Sequence, residues 1–323
     1  MKLLVTGAGG FIGRVLTYSL AEQGHEVLAF DNNTRGNLDM LHGHERIKLV
    51  TGDVLDFEGL CEITCGVEAI YHLAYINGTK YFYTIPDKIL EIGIIGTHNI
   101  LKACLKNKVP HFFLASSSEV YQKADHIPTT EEVEMKIPDV TNPRFSYGGG
   151  KIASELLTIN YLRNSDTRWV IFRPHNVYGP CMGYEHVIPE LVKKIVEAHH
   201  SNMTTEEITI TIQGNGEETR SFIFVEDAAQ AIIMSTLGTN KNDIYHIGTM
   251  EEITIKDLIA KLSDVCGYTI KVLTSERLLG STPRRCPDTL KLQQLGFKPK
   301  TSLIDGLKKT VSWYWEDYQS KKE

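Results

Sequence analysis

Short apolar runs alternate with longer stretches of helical spacing through the first half of this chain. Residues 3–5, 26–30, 47–51, 69–73, 111–116 and 168–172 read as strands. Between them, residues near 11–23, 56–64, 88–107 and 147–164 repeat apolar positions at the interval of a helix. Strand and helix in regular turn predict an α/β fold, a doubly wound parallel sheet. Past Arg173 the rhythm breaks at Pro174, Gly179, Pro180, Gly183 and Pro189, and a helix of about 11 residues follows. Residues 207–213 alternate Ile and Thr as a half-exposed strand does, and the polar residues 202–207 read as a loop tip. Residues 221–225 and 244–247 read as short strands returning to the main sheet, 257–266 and 303–318 as helices, and 320–323 as a frayed end. With no repeat and no low-complexity linker, a smaller α/β domain is expected to interleave with the sheet. Residues 1–173, with 222–248 returning, would form the sheet domain, and 174–221 with 249–323 the smaller one.

The first strand leads into Thr6-Gly-Ala-Gly-Gly-Phe-Ile-Gly13. Gly7, Gly10 and Gly13 at a strand-to-helix turn let the backbone approach a pyrophosphate. The N–H groups at the helix start, around Phe11 and Ile12, then face its charge. The second strand ends at Asp31, 18 residues past Gly13, where a carboxylate can accept hydrogen bonds from both ribose hydroxyls of NAD and would repel the extra phosphate of NADP. Asp53, in Gly52-Asp53-Val54, stands either beside the adenine amino group or as a cap for the helix starting at Asp56. These residues point to a dinucleotide-binding protein that takes NAD.

Composition narrows the partners. A 323-residue chain with 42% hydrophobic and 23% charged residues has room for a sizeable core. Its net charge of −6 argues against nucleic acid as the main partner, and no basic tract suggests a membrane surface. The six cysteines are scattered and no His/Cys cluster completes a metal site, so no metal is expected. The chain enters its first strand at once and carries no run long enough to span a bilayer, so a cytoplasmic location is expected.

Candidate chemistry lies in Tyr147-Gly-Gly-Gly-Lys151 at the start of a helix. Residues four apart share a face, so phenol and ammonium can meet one ligand. A tyrosine becomes a useful base only if its pKa falls from about 10 to about 7, a differential stabilisation of roughly 4 kcal/mol. The Lys151 ammonium and a positive nicotinamide ring would both favour the phenolate. The fifth strand runs into Ser116-Ser-Ser-Glu-Val-Tyr121, which offers a serine hydroxyl to a substrate hydroxyl being oxidised.

Taken together, these segments resemble an extended short-chain dehydrogenase/reductase of the nucleotide-sugar epimerase/dehydratase family, built on a Rossmann sheet. The resemblance is carried by the glycine segment, Asp31-Asn32, Gly52-Asp53, His72-Leu-Ala74, Ser116 through Tyr121, Tyr147 through Lys151 and Arg173-Pro-His-Asn-Val-Tyr-Gly-Pro180. Arg220-Ser-Phe-Ile-Phe-Val-Glu-Asp227, Arg285-Cys-Pro-Asp288 and Leu295-Gly-Phe297 extend it over almost the whole chain. It implies that Ser117, Tyr147 and Lys151 are catalytic, that Asn32, Val54 and Leu73 join the cofactor site, and that Ser118, Asn176, Arg220 and Arg285 bind the nucleotide sugar. It further implies that NAD takes a hydride from C4 of the sugar and later returns it. A homodimer through the helices near 88–107 and 147–164 is implied as well, in a route to polysaccharide precursors.

Glu119 separates the outcomes open to a 4-keto sugar. Simple 4-epimerases of this family carry a small or hydroxyl residue there, whereas 4,6-dehydratases and uronate decarboxylases carry Glu. A base for the C5 proton makes a 4,6-dehydratase the first expectation, with a 4-epimerase or a UDP-glucuronate-type decarboxylase as alternatives. A catalytically silent NAD-binding sensor or scaffold is the reading from a different class. Departures from the family pattern are Tyr75, where a small residue is usual, Gln122 in place of a glycine, and the open run Gly148-Gly-Gly150, which could admit an altered substrate pose. His186, in Tyr184-Glu-His186, is either a sugar contact or a solvated loop residue.

Overall fold

The computed structural model describes residues 1–201, 207–276 and 282–320. The strands are β1 (Lys2–Thr6), β2 (Glu26–Asp31), β3 (Ile47–Thr51), β4 (Ala69–His72), β5 (His111–Ala115), β6 (Arg168–Pro174), β7 (Val177–Tyr178), β8 (Glu207–Gln213), β9 (Thr219–Ser221), β10 (Ile223–Phe224), β11 (Asp243–Ile247), β12 (Glu252–Thr254), β13 (Thr269–Ser275) and β14 (Arg284–Arg285). Seven of them form a central sheet in the order β11-β6-β5-β4-β1-β2-β3. All of its pairings are parallel, as the alternation of strand and helix predicts. Successive residues point to opposite faces. Leu3, Val5, Phe113 and Phe172 therefore pack on one side, and Leu4, Ile70, Phe112 and Ile171 on the other.

The helices are α1 (Phe11–Glu22), α2 (Phe57–Ile63), α3 (Thr79–Thr84), α4 (Pro86–Leu90), α5 (Thr97–Lys106), α6 (Ser146–Leu162), α7 (Val187–Ser201), α8 (Val225–Leu237), α9 (Ile255–Cys266), α10 (Leu290–Gln294) and α11 (Leu303–Ser320). Side chains of α1 and α8 cover the first face of the sheet, and those of α2, α5 and α6 the second. A third core gathers α7, β8, α9 and α11. Thr254 and Asp257 form a reciprocal capping box at the start of α9. Among the described residues no helix is long and apolar enough to cross a membrane.

Three expectations change. The strand expected at 221–225 does not return to the central sheet: Ser221 ends β9, which lies between β12 and β14, and Ile223–Phe224 pairs with β7. The helix expected over 88–107 is interrupted by a π-helical turn, Glu91–Gly96, between α4 and α5. The helix placed after Pro189 begins before it, because a proline in the first turn removes an N–H that has no intrahelical partner there. The loop tip expected at 202–207 falls, except for residue 207, outside the described residues, as does the end of the chain from 321.

One buried ion pair fastens α6 to the sheet. The Arg173 guanidinium at the end of β6 donates from Nε to Glu155 Oε1 at 2.9 Å and from Nη2 to Glu155 Oε2 at 2.6 Å. The two side chains are 2% and 1% exposed. Ser116, just past β5, donates to the same carboxylate, and Arg173 also donates to the Tyr121 hydroxyl and to the Glu131 carbonyl. Removing one charge strands the other in a dry site. Arg173→Met is expected to cost about 3–5 kcal/mol of stability, read by urea unfolding, because Glu155 is left buried without its cation.

Candidate active site

The order of the sheet reverses between β1 and β4, and a cleft of about 690 Å3 opens at the carboxyl ends of these strands. One half of it is built from the glycine turn. Gly7 has φ +72°, and a Cβ there would lie 2.7 Å from the Ala74 nitrogen. A Cβ on Gly13 would overlap the Gly7 carbonyl oxygen. Only glycine lets this turn close against β4. Helix α1 starts after Gly10 without a side-chain cap, so its first N–H groups are left for a ligand. Asp31 is 9% exposed, and its carboxylate accepts from the Gly9 N–H at 3.0 Å and the Asn33 N–H at 2.9 Å. Burial raises its pKa, against the pull of these backbone bonds.

Asp53 accepts from the Asn32 amide and the Leu55 N–H, both at 2.9 Å, while Asp56 caps α2. Of the two readings of Asp53, the cap is thereby assigned to its neighbour. Gly7, Gly10, Phe11, Ile12, Gly13, Asp31, Asn32, Asp53, Val54 and Leu73 all line this cleft. An uncapped helix start, a glycine floor and a buried carboxylate suit the pyrophosphate and ribose of a dinucleotide.

The other half brings Ser117, Ser118, Glu119, Tyr147 and Lys151 together. Ser117 Oγ accepts from the Glu119 N–H at 3.1 Å, and its side chain is hydrogen-bonded to the Tyr147 phenol. Lys151 is 3% exposed and donates to the Ala115 carbonyl at 2.7 Å. Burial pushes the Lys151 ammonium down to about 7, against the charge of Glu155. Burial likewise pushes the Tyr147 phenol above its ordinary value, with the Ser117 hydrogen bond opposing. The protein alone therefore works against the phenolate that the sequence reading assigned to this pair.

Glu119 reaches the last part of the chain. Its Oε1 accepts from Arg285 Nη1 at 2.7 Å. Burial would raise its pKa, but Arg285, and behind it Arg144 and Arg220, outweigh burial and hold the carboxyl below its usual range. Asn176, with φ +40°, lines the cleft and donates its amide to the Ser221 carbonyl at 3.0 Å. Arg220 is the exception among the expected contacts. Its guanidinium donates to the Thr219 and Thr282 carbonyls at 2.7 and 2.9 Å, and it is not among the residues lining the cleft. His186 lines the cleft, and burial lowers its pKa.

The departures noted in the sequence find partners here. Gln122 adopts φ +53°, the conformation a glycine would favour, and donates its amide to the Glu119 carbonyl at 2.6 Å. A Cβ on Gly148 would meet that amide at 2.5 Å and the carbonyl at 2.8 Å, and one on Gly150 would overlap the Tyr75 hydroxyl. The space left by these two glycines is filled by the protein's own side chains rather than offered to an altered substrate pose. Sequence reasoning missed Phe82 of α3, which stacks on Tyr147 with ring centroids 5.2 Å apart. Its signal was the aromatic run Tyr81-Phe-Tyr83.

Residues 3–248 match the sequence model of the NAD dependent epimerase/dehydratase family. The chain belongs to that family. NAD is accordingly its cofactor. It is 29% identical to the UDP-N-acetyl-alpha-D-glucosaminuronate decarboxylase of Bacillus cytotoxicus, over 98% of each chain. It is 26% identical to the dTDP-glucose 4,6-dehydratase of Streptomyces niveus, over 100% of this chain and 97% of that one. Among solved structures, the UDP-glucuronic acid 4-epimerase of Bacillus cereus, in complex with UDP-glucuronic acid and NAD, superposes with a TM-score of 0.86. It is 27% identical over 98% of this chain and all of that one. The relatives thus include decarboxylases, dehydratases and epimerases of nucleotide sugars.

The three glycines of α6 are expected to respond differently to alanine. A Cβ on Gly149 meets only Ile137, at 3.5 Å. Gly149→Ala should stabilise the helix by about 0.4–1 kcal/mol, while Gly148→Ala should destabilise the protein; thermal unfolding of the two variants distinguishes them.

Proposed function

We propose that this protein decarboxylates a nucleoside-diphosphate-linked uronic acid through a 4-keto intermediate. The observation that carries the reading is the Glu119–Arg285 pair, two residues along from Ser117. Eliminating water across C5 and C6 needs a base for the C5 proton and an acid for the departing C6 hydroxyl. Glu119 is held as the anion, and Ser118 is a hydroxyl with no acidity to lend, so the acid is missing. Loss of a carboxylate from C5 needs neither. It needs a carbonyl at C4 to accept the electrons of the breaking C5–C6 bond and a cation to seat the carboxylate. Arg285 offers the cation.

In this reading Ser117 hydrogen-bonds the C4 oxygen and Tyr147 accepts its proton. Bound NAD supplies the hydride acceptor at C4 and the donor that restores it. Because burial opposes the phenolate, the charge that favours it arrives with the cofactor. Asp31, Asn32, Asp53 and the glycine turn hold the cofactor, Lys151 fixes its ribose, and Asn176 and Arg285 hold the substrate. Carbon dioxide leaves, C5 takes up a proton, and the sugar departs one carbon shorter. The 4,6-dehydration favoured by the sequence ranks second, since Glu119 stands where its C5 base would.

The test is product mass after incubation with NAD and nucleotide sugars with and without a C6 carboxylate. Loss of carbon dioxide from a uronic acid alone is the expected result, and loss of water from a neutral hexose would establish dehydration instead. An isomer of unchanged mass would make the protein an epimerase. Arg285→Met should lower kcat/KM for the uronic acid by about 10- to 100-fold, the worth of a charge-assisted hydrogen bond.

A homodimer through α4–α5 and α6 belongs to the same proposal. These neighbouring helices leave Leu90, Ile95 and Leu156 exposed at 36%, 48% and 54%. Leu156→Arg is expected to yield a monomer by light scattering.

A further inference from the structure

Tyr75 follows β4 and lines the cleft, where it makes contacts that the chemistry above leaves unused. The Lys151 ammonium lies over its ring, 3.8 Å from the centroid, and the Tyr147 ring meets it edge-on at 5.1 Å. Its hydroxyl is wedged between two helices. A Cβ on Gly93, in the π-helical turn, would overlap the hydroxyl and the ring, and a Cβ on Gly150 would overlap the hydroxyl. Ser154 ties the same two backbones together, its one hydroxyl proton shared between the Gly150 and Gly93 carbonyls at 2.9 and 3.0 Å. Among the described residues the Tyr75 hydroxyl has no hydrogen-bond partner. A phenol placed there for its oxygen would have been given one. The ring is what the site uses.

We propose that Tyr75 is a positioning residue whose ring forms the floor beneath the Lys151 ammonium, keeping water from it, and that Gly93 and Gly150 are glycines in order to admit that ring and its hydroxyl respectively. This deepens the reading above only in assigning a support to Lys151. The face of an aromatic ring attracts a cation that has given up its water. Tyr75 therefore lets a lysine stay buried and aimed at the cofactor half of the cleft with one carbonyl, that of Ala115, as its hydrogen-bond acceptor. Tyr75 itself does not compete as a base, since burial and then the neighbouring Tyr147 raise its pKa. The other titratable groups facing Lys151 are Tyr147, whose ring centroid is 5.8 Å from the ammonium, Glu155 one turn along α6, and His72 on β4.

The sign of the effect follows from what replaces the ring. Water admitted beside Lys151 supplies a hydration shell in place of one aromatic face, so the ammonium becomes easier to keep and titrates at higher pH. The measurement is the pH dependence of Lys151 acylation by acetic anhydride, read by peptide mass spectrometry on the full chain saturated with NAD. Other lysines in the same digest serve as the reference. Tyr75→Ala is expected to raise the Lys151 midpoint by about one pH unit or more, and Tyr75→Phe to leave it within about 0.3. Gly150→Ala should behave like Tyr75→Ala. The double variant Tyr75→Phe/Gly150→Ala should return toward the wild type, because the overlap is with the hydroxyl and the next ring atom is 3.4 Å away.

An unmoved midpoint in Tyr75→Ala, a shift in Tyr75→Phe as large as in Tyr75→Ala, or a Gly150→Ala effect that the second change does not reverse would each overturn the proposal. Should Tyr75→Ala not fold, Tyr75→Leu removes the ring face while keeping the apolar bulk that excludes water, so it is expected to lower the Lys151 midpoint, and an unmoved midpoint there overturns the proposal. No sugar enters the experiment. Failure of the decarboxylation reading therefore leaves this result standing, and the converse holds as well.

Discussion

The relative positions of Ser117, Tyr147 and Lys151 depend on the buried charge pair between Glu155 and Arg173. Tyr147 and Lys151 stand on α6, while Ser117 follows β5, and these elements come from separate stretches of chain. Hydrophobic packing alone permits a helix to slide along a sheet by small amounts, because apolar contacts have little directional preference. A bidentate guanidinium–carboxylate pair does not, since its hydrogen bonds fix both distance and plane. Glu155 lies one turn beyond Lys151, and its carboxylate takes Arg173 from β6 and Ser116 from the end of β5 together. The pair thus sets the register between the helix with the phenol and the strand end with the serine. A well-packed apolar core could match its stability. What it adds is orientation.

Much of this was legible in the sequence, and the reasons can be given residue by residue. The inner strands of the central sheet carry continuous apolar runs, because a parallel sheet buried on both faces needs no polar alternation, while the edge strands β3 and β11 admit Lys48 and His246. The glycines at 7 and 13 could be read because close backbone approach leaves no other residue type. Residues 221–225 misled because so short a run carries no mark of its partner, and which sheet it joins is settled by long-range packing. The π-helical turn at 91–96 was hidden because apolar spacing does not mark a single wider turn, and the Tyr75 ring that packs against its Gly93 lies elsewhere in the sequence. Arg220 shows what a motif leaves open: the residue is present, but the motif does not say that its guanidinium donates to the Thr219 and Thr282 carbonyls.

Electrostatics reorders the choice among reactions that share a 4-keto intermediate. From sequence, Glu119 is a carboxyl group at a useful position, and a base for C5 is the natural reading. In the fold, its ion pair with Arg285 converts the question from which group takes a proton to which substrate group a fixed cation would face. A neutral hexose brings no charge of its own at C6 to meet that cation. In the proposed reading, the same arginine that weakens Glu119 as a base is what favours a carboxylate at C6.

The wedge of Tyr75 between Gly93 and Gly150 has a consequence for how this chain can change over generations. Gly93 cannot gain a side chain while the ring is present, and at Gly150 the obstacle is a single oxygen atom, the hydroxyl. The order of substitution is therefore constrained: position 75 must shrink before position 93 can grow. Once either glycine has been replaced, the path back to tyrosine is closed until that glycine returns. The three positions behave as a ratchet, and lineages that retain the tyrosine are expected to retain both glycines with it.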